Sequence, residues 1–398
     1  MSLKGGLIYN MGLSYKQFVG ILDSDGGIRT GVLFKKKKNK ISFEIYFSIF
    51  QSEANKDVLQ EIKKLFGGGQ IITKQQKGNQ CCYEYRAHAF TKAGKAILNC
   101  LAKNKPIHPG QRHDYLIALK NVRILKDVKP KNLTKIQQYL LINLCYQNSS
   151  ELKANSTIVK KQPIKILLDK VGATLSESDT SLKQLHTILN EVTLQDNQHN
   201  KALLKRKLSY AYMSGFYIGD GSFGVNFYHE KGVLKSRPVW SITDPSRLLL
   251  ESFQRTLNCG FIVGVGPIKG NCFQYRVTAW KDMPATVLPI LDNKYLPKTR
   301  MEQFKKFKKI CNIGVNSLQT TVKGWRDLVE LSYGMNVNAN RTLTQEQIIC
   351  EGISQINNRN RPLYGHLLSS LKKKWTSSKR KKRPTVLPIF KISDLINH

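Results

Sequence analysis

Acidic residues are scarce in this chain of 398 residues, which has 27 Asp and Glu against 64 Lys and Arg and a formal net charge of +37. An imbalance of this size repels itself unless an anionic partner is bound. Nucleic acid is the expected partner, because each phosphate that a protein neutralises releases counterions. Basic clusters at residues 35–38 and 379–383 favour a polyanion over an anionic lipid surface, but they do not distinguish DNA from RNA.

Long apolar runs and metal-type cysteine spacings are also missing. No stretch approaches the roughly 20 apolar residues of a membrane helix, so we expect no membrane partner. The eight cysteines include the neighbours Cys81 and Cys82 but no Cys-x-x-Cys, which argues against a zinc or disulfide framework. We expect reduced thiols in an intracellular compartment. The N-terminus shows no signal or transit peptide, so a protein acting in an organelle would be made there.

The chain does contain a repeat of itself, which is the first feature to look for in a long sequence. Residues 14–27 read SYKQFVGILDSDGG and residues 209–222 read SYAYMSGFYIGDGS, so that Asp25 pairs with Asp220. Three later landmarks recur at a similar offset of about 190 residues. They pair Gly69 with Gly260, Tyr85-Arg86 with Tyr275-Arg276, and Pro106 with Pro297. Four landmarks in one order indicate two related halves.

Periodicity predicts the same order of elements, α-β-β-α-β-β-α, in each half. In the first half, residues 40–51 alternate between apolar and polar side chains, which is typical of a half-buried strand. Residues 57–66 have apolar side chains at helical spacing and end at three glycines, which predicts an amphipathic helix with a glycine stop. The second half predicts strands at 223–228, 239–244, 261–265 and 272–279, and helices at 246–257 and 282–291.

Two regions lie outside the repeat. We expect a first half at residues 1–118, an inserted helical linker at 119–204, a second half at 205–312 and a basic C-terminal extension at 313–398. Helical patterns at 136–145 and 182–194 lie within the linker.

The nonapeptide at residues 18–26, FVGILDSDG, resembles the motif of LAGLIDADG homing endonucleases. Residues 213–221, MSGFYIGDG, are a looser copy that keeps the first Gly, the eighth-position Asp and the last Gly. Ile218 stands where the first Asp of the motif usually lies, so we interpret its counterpart Asp23 as structural. The resemblance covers about half of the chain, near residues 13–118 and 208–312, and identifies it as a single-chain, two-motif member of the organellar intron-encoded type.

The resemblance implies an α+β fold in which two pseudo-symmetric halves form a DNA-binding β-saddle, with the two motif helices paired at the interface. Gly20 and Gly215 would allow the backbones of these helices to approach closely. Asp25 and Asp220, with Ser24 and Gly219, would then bind divalent cations. Two neighbouring carboxylates repel each other unless a cation lies between them, and ligation by oxygen alone suits Mg²⁺, with Mn²⁺ as the substitute.

The resemblance also implies further catalytic residues. Gln51 and its counterpart Asp244 match positions that hold a network of active-site waters. A basic residue is expected after a Pro-Leu segment, where Lys298 and Arg300 are both candidates. In the first half this position falls near Gly110 or Gln111, which puts an active basic residue there in doubt.

The saddle strands would read base edges through polar side chains, and the lysines of the first hairpin turn would bind phosphates. The predicted DNA-binding residues are Lys35, Lys36, Lys37, Lys38, Ser42, Glu44, Tyr46, Ser48, Arg86, Asn226, Tyr228, Ser241, Thr243, Gln274, Arg276 and Thr278.

Three functions remain open at this point. The first is a monomeric, site-specific endonuclease that cuts double-stranded DNA during intron homing. The second is an RNA maturase of the same fold that assists splicing of a group I intron. The third is a DNA-binding regulator on an inactive saddle, which retention of both Asp25 and Asp220 disfavours.

Overall fold

A computed structural model describes residues 12–35, 40–75, 81–126, 132–150, 169, 171–172, 174–265, 272–335 and 343–359. None of the helices in these ranges is long and apolar enough to cross a membrane. The chain folds as an α+β protein with two four-stranded antiparallel sheets. The predicted fold class is thereby confirmed.

The first half follows the predicted order of elements. Its helices and strands are α1 (Tyr15–Asp25), β1 (Gly26–Lys35), β2 (Lys40–Ser52), α2 (Lys56–Leu65), β3 (Gln70–Gln75), β4 (Cys81–His88), α3 (Lys92–Lys103) and α4 (Pro109–Lys126). Helix α1 starts at a capping box in which the Ser14 side chain accepts from the backbone of Gln17 and the Gln17 side chain reaches back. Helix α2 ends at Gly67, Gly68 and Gly69, which all have positive φ.

Two long helices lie in the described part of the insert, before the second half. They are α5 (Lys135–Ser150) and α6 (Leu175–Leu203), longer than the predicted helical patterns. The second half then contains α7 (Tyr210–Asp220), β5 (Gly221–Glu230), β6 (Val233–Asp244), α8 (Arg247–Leu257), β7 (Phe261–Val265), β8 (Cys272–Val277), α9 (Leu288–Leu291) and α10 (Lys298–Val315). Two more helices, α11 (Val322–Met335) and α12 (Gln345–Arg359), follow it.

The two sheets have the same topology, with strand orders β1-β2-β4-β3 and β5-β6-β8-β7. In β2 the odd-numbered side chains Ile45, Phe47 and Ile49 are buried against the helices, as the alternation predicted. Their counterparts in β6 are Trp240 and Ile242, which are also buried. The other face of each sheet is therefore left for polar side chains.

Helices α1 and α7 cross at two glycines. A Cβ on Gly20 would lie 2.2 Å from the carbonyl oxygen of Tyr212, and one on Gly215 would lie 2.0 Å from that of Gln17. No side chain fits at these positions without separating the helices. The Gln17 amide adds a buried hydrogen bond across the interface by donating to the Ser214 hydroxyl at 3.1 Å.

The helices outside the repeat form two apolar clusters of their own. Helices α4, α5 and α6 bury one cluster, formed by Leu116, Ile117, Leu140, Leu144, Leu185 and Val192. Helices α11 and α12 bury Trp325, Leu328 and Ile348 against Leu234 of β6. The described part of the C-terminal extension thus packs on the second sheet, and the basic run at 379–383 lies outside the described residues.

Three details differ from the sequence expectations. Strand β6 begins at Val233, six residues before the prediction, because it pairs with β5 along its whole length. The helix expected at 282–291 is a π-helical turn at Met283–Val287 followed by the short α9, in a segment that contains Pro284 and Pro289. The expected boundaries at 118 and 312 fall within the continuous helices α4 and α10.

Candidate active site

Asp25 and Asp220 are the last residues of the paired helices α1 and α7. The helix crossing brings these two ends together: a Cβ on Gly219 would lie 2.9 Å from Cγ of Asp25 and 2.2 Å from the Ser24 hydroxyl. Residues far apart in the chain therefore meet at one point. Both aspartates are followed by glycine, at which the backbone turns directly into the first strand of its sheet.

Asp25 is held by one neutral and one cationic neighbour. The Gln51 amide donates a hydrogen bond of 2.6 Å to Oδ2 of Asp25. Burial raises the pKa of Asp25 to about 6, against the opposing effects of the Gln51 hydrogen bond and the Arg300 charge. Arg300 reaches this position from α10 and also lies over the Tyr217 ring, 5.6 Å from its centroid.

Asp220 lies in a more acidic setting. Burial, Asp25 and Asp244 raise its pKa to about 8, and His108 partly opposes them. Asp244 is the counterpart of Gln51 and is buried at the end of β6. Its Oδ1 accepts a hydrogen bond of 2.6 Å from the backbone N–H of Ser246. A carboxylate thus stands in the second half where an amide stands in the first.

His108 is a residue of the candidate site that the sequence did not indicate. Its Nε2 atom lies 3.4 Å from Oδ1 of Asp244. Burial lowers the pKa of His108, but Asp244, Asp23 and Asp220 outweigh burial and raise it. The backbone N–H groups of Gly110 and Gln111 act against protonation, since both donate to Nδ1 at the start of α4.

Lys298 and Arg300 differ in their surroundings because they are two residues apart in α10 and so point to different sides of the helix. Lys298 is exposed, and its backbone N–H donates to the Asp57 carboxylate at 2.8 Å. Arg300 is half-buried and interacts with Asp25 and Tyr217. Of the two basic candidates, Arg300 is the one beside Asp25. Gln111 lies nearby but donates its amide to the carbonyl of Gly26 at 2.9 Å.

The donor set at the helix ends suits a hard divalent cation. Two half-buried carboxyl groups whose pKa values are raised are the arrangement that a cation between them would relieve. Ser24 uses its hydroxyl to donate to the carbonyls of Gly20 and Ile21. Ser24 and Gly219 lie in the last turns of their helices, where backbone carbonyls lack intrahelical partners. Within the described ranges no three His, Cys, Asp or Glu side chains form a metal cluster, so a cation would need these carbonyls or substrate oxygens.

Comparison with known proteins agrees with this geometry. Residues 18–122 match the family profile described as LAGLIDADG endonuclease. This segment of the chain is thus similar to the LAGLIDADG endonuclease family. Probable intron-encoded endonuclease 2 of Neurospora crassa is 22% identical over 324 residues, which are 80% of this chain and 64% of that protein. The chain therefore spans less than two thirds of the length of this curated relative.

Solved LAGLIDADG structures resemble both halves. The homing endonuclease I-SmaMI bound to cleaved DNA has a TM-score of 0.61 and 21% identity, over 82% of this chain and 98% of that one. I-SmaMI bound to uncleaved DNA with calcium ions has a TM-score of 0.59 and 22% identity, over 81% and 99%. I-LtrWI bound to target DNA has a TM-score of 0.59 and 18% identity, over 82% and 98%. At these sequence identities, the structural similarity shows that this chain shares the fold of these proteins.

The polar face of the first sheet is ordered by interactions among its own side chains. Arg86 donates to both carboxylate oxygens of Glu84, at 2.8 and 2.9 Å, and lies over the Tyr46 ring. Glu84 is buried and also pairs with Lys74 at 3.3 Å. Glu44 and Ser42 lie on the same face as Tyr46, since side chains two residues apart in a strand share a face.

The corresponding face of the second sheet uses neutral partners. Arg276 donates to the side-chain oxygen of Gln274, whose amide donates to Ser241 and Thr243. Asn226 is exposed, and Arg237 lies over the Tyr228 ring, 4.8 Å from its centroid. Thr278 follows the last residue of β8. The two faces are thus alike in layout but different in charge.

Several predicted DNA-binding residues are not open surface in the structure. Ser48 and Ser241 are both buried. The Ser48 hydroxyl donates to the carbonyl of Gly27, and the Ser241 hydroxyl forms a hydrogen bond with that of Ser222. Lys35 is the last residue of β1. Lys36, Lys37 and Lys38 lie outside the described residues.

The sequence did not indicate Arg29 and Phe50 as residues of the polar sheet face, nor His108 as a residue near the aspartates. Arg29 is exposed and pairs with Tyr46 in the register of β1 and β2, so it lies on the polar face, 5.6 Å from the Phe50 ring. The alternation of β1 around Ile28 could have indicated Arg29. His108 follows Pro106 by two residues while Arg300 follows Pro297 by three, and this difference hid the correspondence.

Proposed function

We propose that this LAGLIDADG chain is a site-specific endonuclease that needs a divalent metal ion and cuts both strands of a DNA duplex. The observation that supports it most directly is the meeting of Asp25 and Asp220 at the ends of paired helices, beneath two polar sheet faces. The solved relatives I-SmaMI and I-LtrWI are described as bound to DNA, one of them with calcium ions.

The proposed metal ligands are Asp25, Asp220 and the backbone carbonyls of Ser24 and Gly219. Mg²⁺ or Mn²⁺ bound there would lower the pKa of a bound water and stabilise the charge that develops on the scissile phosphate. Gln51 and Asp244 would orient water beside the two aspartates, since each lies at the end of a strand facing one of them. Arg300 would add a fixed positive charge near Asp25.

Two acidic helix ends in one chain match two scissile phosphates, so we propose that a monomer makes a double-strand break. The net charge of +37 supports a long duplex contact. The two polar sheet faces would read base edges in the major groove. Because the curated relative is described as intron-encoded, we further propose that the chain acts in the homing of a group I intron in an organelle.

The test uses purified full-length protein, Mg²⁺ and a randomised double-stranded DNA library, with cut ends captured and sequenced. We expect one enriched site that is cut on both strands. Asp25→Asn and Asp220→Asn should each reduce cleavage of that site at least about 100-fold, while gel-shift binding persists. Asp179→Asn, the same change at an exposed position on α6, is the matched control and should cut normally.

Two results would overturn the proposal. One is cleavage that survives both aspartate substitutions, which would place the chemistry elsewhere. The other is a wild-type protein that cuts no duplex in Mg²⁺ or Mn²⁺ but binds group I intron RNA tightly, which would support the maturase.

A further inference from the structure

The two halves exchange their active-site basic regions. Arg300 belongs to the second half but lies beside Asp25 of the first. His108 belongs to the first half but lies beside Asp244 and Asp220 of the second. Each aspartate therefore has one strand-end neighbour from its own half, Gln51 or Asp244, and one basic neighbour from the other half.

The hydrogen bonds of His108 define where its proton lies. Nδ1 accepts from the backbone N–H groups of Gly110 and Gln111, at 3.1 and 3.4 Å. A neutral imidazole that accepts at Nδ1 carries its proton on Nε2. The Nε2 atom lies 3.4 Å from Oδ1 of Asp244, which is within ion-pair distance and longer than an ordinary hydrogen bond. The ring thus caps α4 with one nitrogen and approaches the second half-site with the other.

The second half needs such a donor for an electrostatic reason. In the first half the Gln51 amide donates directly to Asp25. The counterpart of Gln51 is the side chain of Asp244, a carboxyl group at the end of β6 that offers no amide N–H to Asp220. Two like charges at close range move apart unless other groups hold them. Ser246 and His108 are the groups that approach Oδ1 of Asp244.

The loop that presents His108 is itself held in place. Oδ2 of Asp23 accepts hydrogen bonds from the backbone N–H groups of Ile107 and His108, at 2.8 and 2.9 Å. His199 of α6 contacts the carbonyl of Ile107 at 2.9 Å. The imidazole is mostly buried, with 17% of the side chain exposed. The imidazole is therefore held in one position by its surroundings.

We propose that His108 is a positioning residue that holds Asp244 beside Asp220, so that cutting of one DNA strand depends on it and cutting of the other does not. This inference rests on the proposed endonuclease function. One strand is then cut by the group of Asp220, Asp244 and His108. The other is cut by the group of Asp25, Gln51 and Arg300.

The variants separate this role from capping of α4. In His108→Asn, the side-chain oxygen can still accept from the α4 backbone, but the shorter side chain does not reach Asp244. In His108→Gln, the longer amide can again donate to Asp244. His186→Asn makes the same change at an exposed position of α6 and is the matched control.

The assay is cleavage of a supercoiled plasmid that carries the selected site, with each strand followed by its own end label. For His108→Asn we expect cutting of one strand to fall by roughly 10- to 100-fold, the usual loss when such an outer partner is removed. Nicked circles then accumulate. His108→Gln should restore most of the rate, and Arg300→Ala should slow the opposite strand. His108→Asn combined with Asp244→Asn should be no slower than Asp244→Asn alone.

The inference would be overturned if a His108→Asn protein with wild-type melting temperature lost cleavage equally on both strands, or on neither.

A readout without DNA or metal tests the geometry separately. In ¹⁵N NMR of histidine-labelled protein, we expect the resonance that His108→Asn removes to show the Nε2–H tautomer and to shift in Asp244→Asn. A Nδ1–H tautomer would contradict the inference. If the wild-type protein cuts no duplex, the endonuclease proposal fails, while the NMR result still decides the His108–Asp244 contact.

Discussion

The carboxylate of Asp23 and the hydroxyl of Tyr212 lie 2.9 Å apart, and this hydrogen bond joins the motif helix of the first half to that of the second. The same oxygen of Asp23 accepts from the backbone of Ile107 and His108. Burial raises the pKa of Asp23 to about 6, although these neighbours oppose the rise. The counterpart position holds Ile218, so the pseudo-symmetry of the two halves is broken here.

Asp23→Leu should therefore destabilise the protein and disturb the second half-site. The backbone N–H groups of Ile107 and His108 and the Tyr212 hydroxyl would lose their buried acceptor. The expected loss in the free energy of unfolding is roughly 2–4 kcal/mol. Urea unfolding followed by tryptophan fluorescence measures the loss. Asp23→Asn, which keeps one oxygen acceptor, is the control and should lose less. Equal stability of Asp23→Leu and wild type would show that these hydrogen bonds contribute nothing net.

The two glycines at the helix crossing should tolerate no side chain. Gly20→Ala and Gly215→Ala each place a methyl group about 2 Å from a backbone oxygen of the facing helix. We expect insoluble protein or a loss of at least about 3 kcal/mol, together with loss of cleavage. Gly264→Ala in β7 is the control, because a Cβ there meets no atom within 4 Å. Thermal unfolding of the three variants, measured side by side, checks this. A stable Gly20→Ala protein that still cuts would mean that the helices have room to separate.

The metal-free protein should lose stability as the pH rises. The folded-state pKa values of Asp25 and Asp220, about 6 and about 8, exceed the ordinary value of 3.8. Stability from these groups is fully present below the unfolded pKa and is lost as the pH rises through the folded values. Asp220→Asn cannot ionise, so it should melt several degrees above wild type near pH 8.5 and equally near pH 5.

Scanning calorimetry in EDTA at both pH values provides the measurement. Added Mg²⁺ should raise the melting temperature of wild type more at the higher pH, since it binds the ionised carboxylates. Asp179→Asn is the control for the loss of one negative charge at a position on the protein surface. A wild-type protein that is more stable at pH 8.5 than Asp220→Asn, without metal, would contradict the prediction.

The polar faces of the two sheets should respond differently to charge. Glu84 neutralises Arg86 in the first sheet, whereas Arg276 in the second has the neutral Gln274 as its partner. Glu84→Gln should therefore free one positive charge and steepen the salt dependence of DNA binding by about one phosphate contact. It should also relax base preference at one position, because Arg86 is no longer held by two hydrogen bonds.

Gln274→Glu is the reciprocal variant and should lower the salt slope in the other half. Binding isotherms at several salt concentrations, with sequencing of bound DNA from a randomised library, measure both effects. An unchanged salt slope in both variants would mean that neither arginine faces the DNA.

Much of this protein was determined by local sequence. The Asp-Gly endings, the glycines near residues 67–69 and the alternation in β2 act within a few residues, so they predicted the helices, strands and repeat. The pairing of α1 with α7 was implied by the family resemblance of the two motifs, and Gly20 and Gly215 permit the close approach of the two backbones.

The partners within the site were decided by tertiary structure. Arg300 and His108 reach the aspartate of the opposite half, and this exchange depends on how the two halves meet rather than on spacing within either one. The segments that follow Pro106 and Pro297 differ in length, so the two halves offer no common alignment from which this exchange could be inferred. Sequence periodicity reports which face of an element is buried, while contacts between side chains of opposite halves are set only when both halves are packed.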